Sequence, residues 1–137
     1  MLSTALECLS KGGKRHERVN EYACSFTYVT LNRAIVDHNE FFALIDDIAS
    51  SLKLEPVHAR LSLYSAGDYC AKHVDTIPNV KYAVSIRLDI GTPKLVVGDR
   101  TLSEGGHQAI IFNPHIEHEV LACLPDEQRV VLNFWLV

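Results

Sequence analysis

The sequence predicts one β-rich α+β domain, with a helical N-terminal third leading into an antiparallel sandwich or barrel. Three observations predict it. Leu2, Ala5, Leu6 and Leu9, and then Phe41, Phe42, Leu44, Ile45, Ile48, Ala49 and Leu52, recur at helical spacing. After Pro56 the pattern changes to short apolar runs separated by Gly, Pro, Asn and Asp. The 137 residues are 47% apolar and 22% charged, which suits a single compact domain, and no repeat, low-complexity tract or linker divides them.

The first helix covers Leu2 to Leu9 and is stopped by Lys11-Gly12-Gly13. Lys11, Lys14, Arg15 and Arg18 read as a solvated loop. Tyr22 to Leu31 is rich in aromatic and β-branched residues and reads as a strand. Asp37-His38-Asn39 supplies candidate caps for the second helix. The β-rich body follows, with strands expected over Ala59 to Tyr64, Tyr82 to Ile90, Lys94 to Val97, His107 to Phe112, Glu119 to Cys123 and Arg129 to Val137. Gly91-Thr92-Pro93, Gly98-Asp99, Gly105-Gly106 and Pro125-Asp126-Glu127-Gln128 supply turns.

Composition narrows the function classes. Thirteen basic and 17 acidic side chains leave a net charge of −4, which disfavours nucleic-acid binding through a broad basic field. Apolar runs such as Ala109-Ile110-Ile111-Phe112 fall far short of the roughly 20 residues a membrane-spanning helix needs. No positive segment precedes a long apolar stretch at the N-terminus, so a soluble, cytoplasmic protein is expected. Cys8, Cys24, Cys70 and Cys123 form no Cys-x-x-Cys pair and are expected to be reduced and mostly buried.

His73-Val74-Asp75 closes a strand-like segment, and residues two apart on a strand share a face, so an imidazole and a carboxylate converge there. The stretch Phe112-Asn113-Pro114-His115-Ile116-Glu117-His118-Glu119-Val120 brings further histidines, the second of them 45 residues beyond His73. Two histidines and one carboxylate on one face of a metal make the facial triad of non-haem Fe(II) centres, which leaves positions open for a co-substrate and O2. Taken alone, His-x-Asp reads first as a solvated turn or as a histidine hydrogen-bonded to a nearby carboxylate. Arg129 adds a third element, because it opens an otherwise apolar final strand. A guanidinium inside a barrel needs an anion and suits bidentate capture of a carboxylate; the alternative is an exposed edge position pairing with Asp126 or Glu127.

These segments resemble the Fe(II)/2-oxoglutarate dioxygenases, closest in pattern to the prolyl 4-hydroxylase-like members. Tyr64 to Asp75 resembles that family's Tyr-x-x-Gly-x-Tyr-x-x-x-His-x-Asp, Phe112 to Val120 its Phe-x-x-x-x-x-His-x-Val, and Arg129 to Leu136 its closing Arg-x-x-Leu-x-Phe-Trp-Leu. The likeness covers residues 58 to 137. It implies a double-stranded β-helix, the cupin-like jelly-roll, over that range, with the N-terminal helices and strand of residues 1–57 packed on its sheet. It implies that His73, Asp75 and His118 hold Fe(II) as the catalytic centre, that Arg129 binds the distal carboxylate of 2-oxoglutarate, and that Tyr64 adds a hydrogen bond to this co-substrate. His118 is preferred to His115 because it stands six residues after Phe112 and precedes Glu-Val, as in the family. Arg129 lies eleven residues after His118, one more than the family pattern, and the Pro125 to Gln128 turn houses the extra residue.

The implied reaction uses O2 and 2-oxoglutarate to hydroxylate an aliphatic C–H, releasing succinate and CO2. The substrate class it implies is a peptide or protein side chain such as proline. The AlkB-like nucleic-acid dealkylases are the second reading, since they share the Tyr-x-x-Gly spacing and the texture of Val84 to Leu88. Against it, Trp135 stands where that family has a second arginine and Ser62 where it has an asparagine. A non-enzymatic jelly-roll binding domain is the third, and a zinc hydrolase would leave Arg129 without a purpose. Trp135, Phe134 and Phe112 read as core or pocket wall, and His16, His38, His58 and His107 as surface or locally hydrogen-bonded. Arg87 and Lys81 read as a pair reaching the pocket mouth. The chain is short for the family, so an open site that admits a macromolecular substrate is expected.

Overall fold

The computed structural model describes residues 1–18 and 22–137. Helix α1 (Leu2–Gly12) is followed by strands β1 (Lys14–Arg18) and β2 (Cys24–Thr30), a single 3-10 turn (Val36–His38) and helix α2 (Asn39–Ser51). Eight further strands complete the chain: β3 (Pro56–Tyr64), β4 (Tyr69–His73), β5 (Tyr82–Arg87), β6 (Leu95–Val97), β7 (Arg100–Thr101), β8 (Ala109–Phe112), β9 (His118–Val120) and β10 (Arg129–Leu136).

Hydrogen bonding links them in the order β7-β6-β9-β4-β2-β3-β10-β5-β8, with β1 on β2. Two four-stranded rows emerge, β7-β6-β9-β4 and β3-β10-β5-β8, joined through β2. That strand pairs with β3 from Thr27 to Thr30 and with β4 at Cys24 and Ser25. From β3 to β6, and again from β8 to β10, successive strands alternate between the rows. This alternation, antiparallel throughout, is the double-stranded β-helix, a jelly-roll, with both helices packed on β3 and β10.

Strand β10 shows how the layers form. Val130, Leu132, Phe134 and Leu136 point one way, into a core with Phe41 and Ile45 of α2, Ala5 and Leu9 of α1, and Leu61, Val84 and Ile86 of the flanking strands. Arg129, Val131, Asn133 and Trp135 point the other way, between the two rows. The buried residues of α2, Phe41, Ile45 and Ala49, recur every four positions, as a helix lying on a sheet requires.

Two expectations change. Lys14 and Arg15 lie on strand β1 rather than in a loop, because Asp68 supplies an anion: Arg15 donates to both of its carboxylate oxygens, at 3.0 and 2.9 Å. Asp68 also accepts from Ser25 Oγ and from the Ser65 amide, closing the turn in which Gly67 takes φ +81°. At α2 the N-cap position falls on His38, which makes no side-chain cap bond; its Nδ1 accepts instead from the Asn32 amide at 2.9 Å. All four cysteines are buried and unbridged. No helix among the described residues is long and apolar enough to cross a membrane.

Phe134 is fully buried in the helix-facing core. Phe134→Ala is expected to lower unfolding free energy by about 3–5 kcal/mol, measured by urea denaturation. Val57→Ala, at a position 47% exposed, is the control and is expected to change it by about 0.5 kcal/mol or less.

Candidate metal centre

The face of the β3-β10-β5-β8 row that turns from the helices meets the β4 and β9 strands across a cavity of about 240 Å³. Three ligating side chains meet on its wall. His73 ends β4, His118 opens β9, and the two residues are direct cross-strand partners. Asp75 lies just beyond β4, its amide bonded to the Pro114 carbonyl at 3.0 Å. The ligand atoms of His73, Asp75 and His118 all lie within 4.8 Å of one another.

Each ligand is held by its far side. His73 Nδ1–H donates to the Ala71 carbonyl at 2.7 Å, and His118 Nδ1–H to the Ile116 carbonyl at 2.8 Å. A carbonyl only accepts, so both rings carry their proton on Nδ1 and present Nε2. The two Nε2 atoms lie 3.4 and 3.3 Å from Asp75 Oδ1. Asp75 Oδ2 is occupied by the Trp135 indole N–H at 2.8 Å, leaving Oδ1 as the free oxygen. Tyr22 stacks on His73 at 4.0 Å between ring centroids, and Phe112 meets His118 edge-on at 5.1 Å. Two Nε2 atoms and one Oδ1, oriented by bonds to their other atoms, fit a divalent transition metal.

The electrostatics agree with this geometry. Burial opposes charge on His73, but the Asp75 hydrogen bond and Cys70 outweigh it and raise its pKa to about 9. His118 is raised in the same way, burial again being overcome by Asp75. Burial would raise Asp75, yet its bonds to His118, His73 and Trp135 hold its carboxyl well below the ordinary range. Protons on the imidazoles thus do for Asp75 what a metal cation would do.

Farther along the same face stands Arg129, 2% exposed. It is not an edge residue pairing with Asp126 or Glu127. Its Nε and Nη2 donate to Glu104 at 3.0 and 2.6 Å, and Glu104 also accepts from the Lys94 amide at 2.9 Å. Glu104 is buried and does not line the cavity, whereas Arg129 does. The carboxylate therefore grips the back of the guanidinium and leaves Nη1 without a partner among the described residues. Tyr64 lies beside it, its ring 5.2 Å from the guanidinium carbon and stacked on Phe26 at 5.0 Å. Burial pushes the Tyr64 hydroxyl above its ordinary pKa.

Arg129 belongs to a closed set of charges. Arg87 pairs with Asp89 at 2.9 Å and Lys94 with Glu127 at 2.9 Å, while Arg87 Nη1 approaches Glu104 at 3.7 Å. Arg87 donates further to the Thr92 and Gln128 carbonyls, and a Cβ on Gly91 would collide with its guanidinium. Arg87 is thus a buried brace rather than a residue at the pocket mouth, and Lys81 alone is exposed. His115 is exposed, His16 lies on the cavity wall against Phe26, and His38 is locally hydrogen-bonded. Glu104, Tyr22 and the Asp75-holding role of Trp135 were not foreseen. Only Trp135 had a sequence signal, its place six residues after Arg129 on one strand face.

Fold and donor set define a class: double-stranded β-helix proteins with a two-histidine, one-carboxylate centre inside the barrel. No protein-family model matches the chain, and no curated protein matches it in sequence. Solved structures do match in fold. A 2OG-Fe(II) oxygenase family oxidoreductase from Burkholderia pseudomallei superposes with TM-score 0.74 at 11% identity, over 98% of this chain and 78% of that one. A Pseudomonas putida prolyl-4-hydroxylase gives 0.65 at 15%, over 98% and 83%. The non-heme alpha ketoglutarate dependent epimerase SnoN from nogalamycin biosynthesis gives 0.77 at 14%, over 99% and 70%. The chain has the fold of these oxygenases.

Two outcomes follow from the charges. Both imidazoles are raised above their unfolded value of 6.5, so their contribution to stability is complete below pH 6.5; that of His73 is lost as pH climbs through about 9, and that of His118 is lost in the same direction. The thermal midpoint of chelator-treated protein is expected to fall over that window, and Mn(II), which replaces the protons, is expected to flatten the fall. Glu104→Gln strands buried Arg129 and is expected to cost about 3–5 kcal/mol in urea denaturation.

Proposed function

We propose that this chain is an Fe(II)- and 2-oxoglutarate-dependent dioxygenase that hydroxylates an aliphatic C–H of a peptide or protein side chain. The observation that carries the reading is the pairing of two features in one cavity. Three ligand atoms converge with their far sides pinned, and a buried guanidinium offers a free edge deeper in the same barrel. Bound there, Fe(II) with 2-oxoglutarate and O2 supplies oxidative decarboxylation to succinate and CO2 coupled to oxidation of a C–H bond.

The chain's own work is binding and orientation. His73 and His118 through Nε2, and Asp75 through Oδ1, would hold the metal, which would take up the co-substrate and O2. Arg129 Nη1 receives the distal carboxylate, with Glu104 fixing the guanidinium plane and Tyr64 lining the path. Trp135 keeps Asp75 from rotating, so that one oxygen faces the metal. Likeness of fold to the Pseudomonas putida prolyl-4-hydroxylase supports a peptide substrate, and the acidic net charge disfavours nucleic acid.

Anaerobic addition of Fe(II) and 2-oxoglutarate tests this directly through the visible metal-to-ligand charge-transfer band. The band is expected in wild-type protein and is expected to be absent in Asp75→Ala. Arg129→Lys, which keeps Glu104 paired but loses the planar fork, is expected to need about tenfold more 2-oxoglutarate for half-formation. No band in folded wild-type protein would overturn the dioxygenase reading in favour of a binding domain.

A further inference from the structure

Arg87, Lys94 and Arg129 each have their own carboxylate, Asp89, Glu127 and Glu104. Arg60, on the cavity wall, makes no ion pair or hydrogen bond among the described residues, and its buried Nε is unpartnered. It stands on β3 opposite Asn133 of β10. Its guanidinium lies 5.0 Å from the Phe26 ring and 5.2 Å from the Trp135 ring. Rings flanking the cation restrict approach to its edge, which suits a planar, two-oxygen anion.

Its surroundings repeat the signal. Asn133 is also the cross-strand partner of Ser85, whose Oγ is buried without a partner, as is Ser62 Oγ on the same face of β3. Arg60 and Ser85, each lining the cavity with an unsatisfied polar atom, mark a place where a ligand completes the bonding. The position separates this place from the Arg129 end. Arg60 lies four residues from Tyr64, the direct partner of Arg129, or roughly 13 Å along the strand. It lies instead beside Trp135, whose indole holds Asp75, and next on its face is His58, which is exposed. Arg60 is thus on the metal side, at the mouth.

We propose that Arg60 is a substrate-binding residue that takes a carboxylate carried by the molecule to be oxidised, with Asn133 and Ser85 as neutral partners. This deepens, and rests on, the dioxygenase reading, because it assigns the substrate side of that cavity. A carboxylate seated there holds its own aliphatic chain close to the metal ligands. The carboxylate can come from an acidic residue of a peptide or from a small free acid.

Binding to the purified protein tests it. The probes are glutamate capped as N-acetyl and N-methylamide, its glutamine counterpart, butyrate and butyramide, each titrated by NMR while the Arg60 Nε–H signal is followed. At least one acid is expected to bind wild-type protein about tenfold tighter than its amide and to shift that signal. Preference shown by the capped glutamate identifies a peptide source, and preference shown by butyrate alone a free acid; either upholds the site. Arg60→Met is expected to bind acid and amide equally, Arg60→Lys to keep a reduced preference, and Arg129→Lys to keep the full one. No acid preference in wild-type protein, or one that survives in Arg60→Met, overturns the proposal. The charge-transfer titration is scored separately. A band without acid preference leaves the metal centre standing and removes the Arg60 site, whereas an Arg60-dependent preference without a band does the reverse.

Discussion

Strand β10 is hydrogen-bonded on both edges, to β3 and to β5, and buried on both faces, so its register constrains everything around it. Because side chains on a strand alternate with a period of two, a slip of one residue would exchange Val130, Leu132, Phe134 and Leu136 for Arg129, Val131, Asn133 and Trp135. The helix-facing core and the cavity wall are therefore one decision. The same register sets Arg129 at one end of the cavity and Trp135, with its bond to Asp75, at the other. Loss of apolar burial against α1 and α2 would oppose any slip, which is how packing remote from the cavity protects the geometry within it.

The charged interior shows the converse economy. Arg129 is buried with two further cations, Arg87 and Lys94, and with the carboxylates of Asp89 and Glu104, while half-buried Glu127 meets Lys94; desolvating so many charges is costly unless each is met by an opposite charge or a carbonyl. Arg87 meets that demand with four polar contacts, to Asp89, Thr92, Gln128 and Glu104, and Glu104 joins the loop before β8 to β10 through Arg129. The cluster gains little net stability over an apolar filling. What it supplies is a guanidinium held rigidly, with its charge balanced from behind and one edge facing the cavity. At the opposite end the triad is organised by the same logic, each ligand tied by the atom that would not face a metal.

Much of this was legible in the sequence. The periodicity of Phe41, Ile45 and Ala49 and the alternation in the C-terminal segments come directly from which faces must be buried, so helix and strand assignments follow from local pattern. The spacing of His73 and Asp75, and the isolated charge of Arg129 in an apolar strand, carry chemistry in a few adjacent positions. Strand β1 was hidden because its charged residues are explained by a partner, Asp68, 53 positions away from Arg15. Arg87 was misplaced for the same reason, since Gln128 and Glu104, which close around it together with nearby Asp89 and Thr92, lie far from it in sequence.

The sequence by itself determined both helices and most of the strands, the identities of the metal-ligand candidates and the need for an anion at Arg129. These depend on periods of two and of about four residues, and on the cost of burying charge, all of which act over short stretches of chain. Only the tertiary structure decided that Glu104 meets Arg129, that Trp135 holds Asp75, and that Arg60 faces the cavity without a carboxylate. Each of those outcomes depends on which strands become neighbours and in what register. Side chains 25 to 75 positions apart in the chain are brought together by the alternation of the two sheets, and no local pattern encodes that distance.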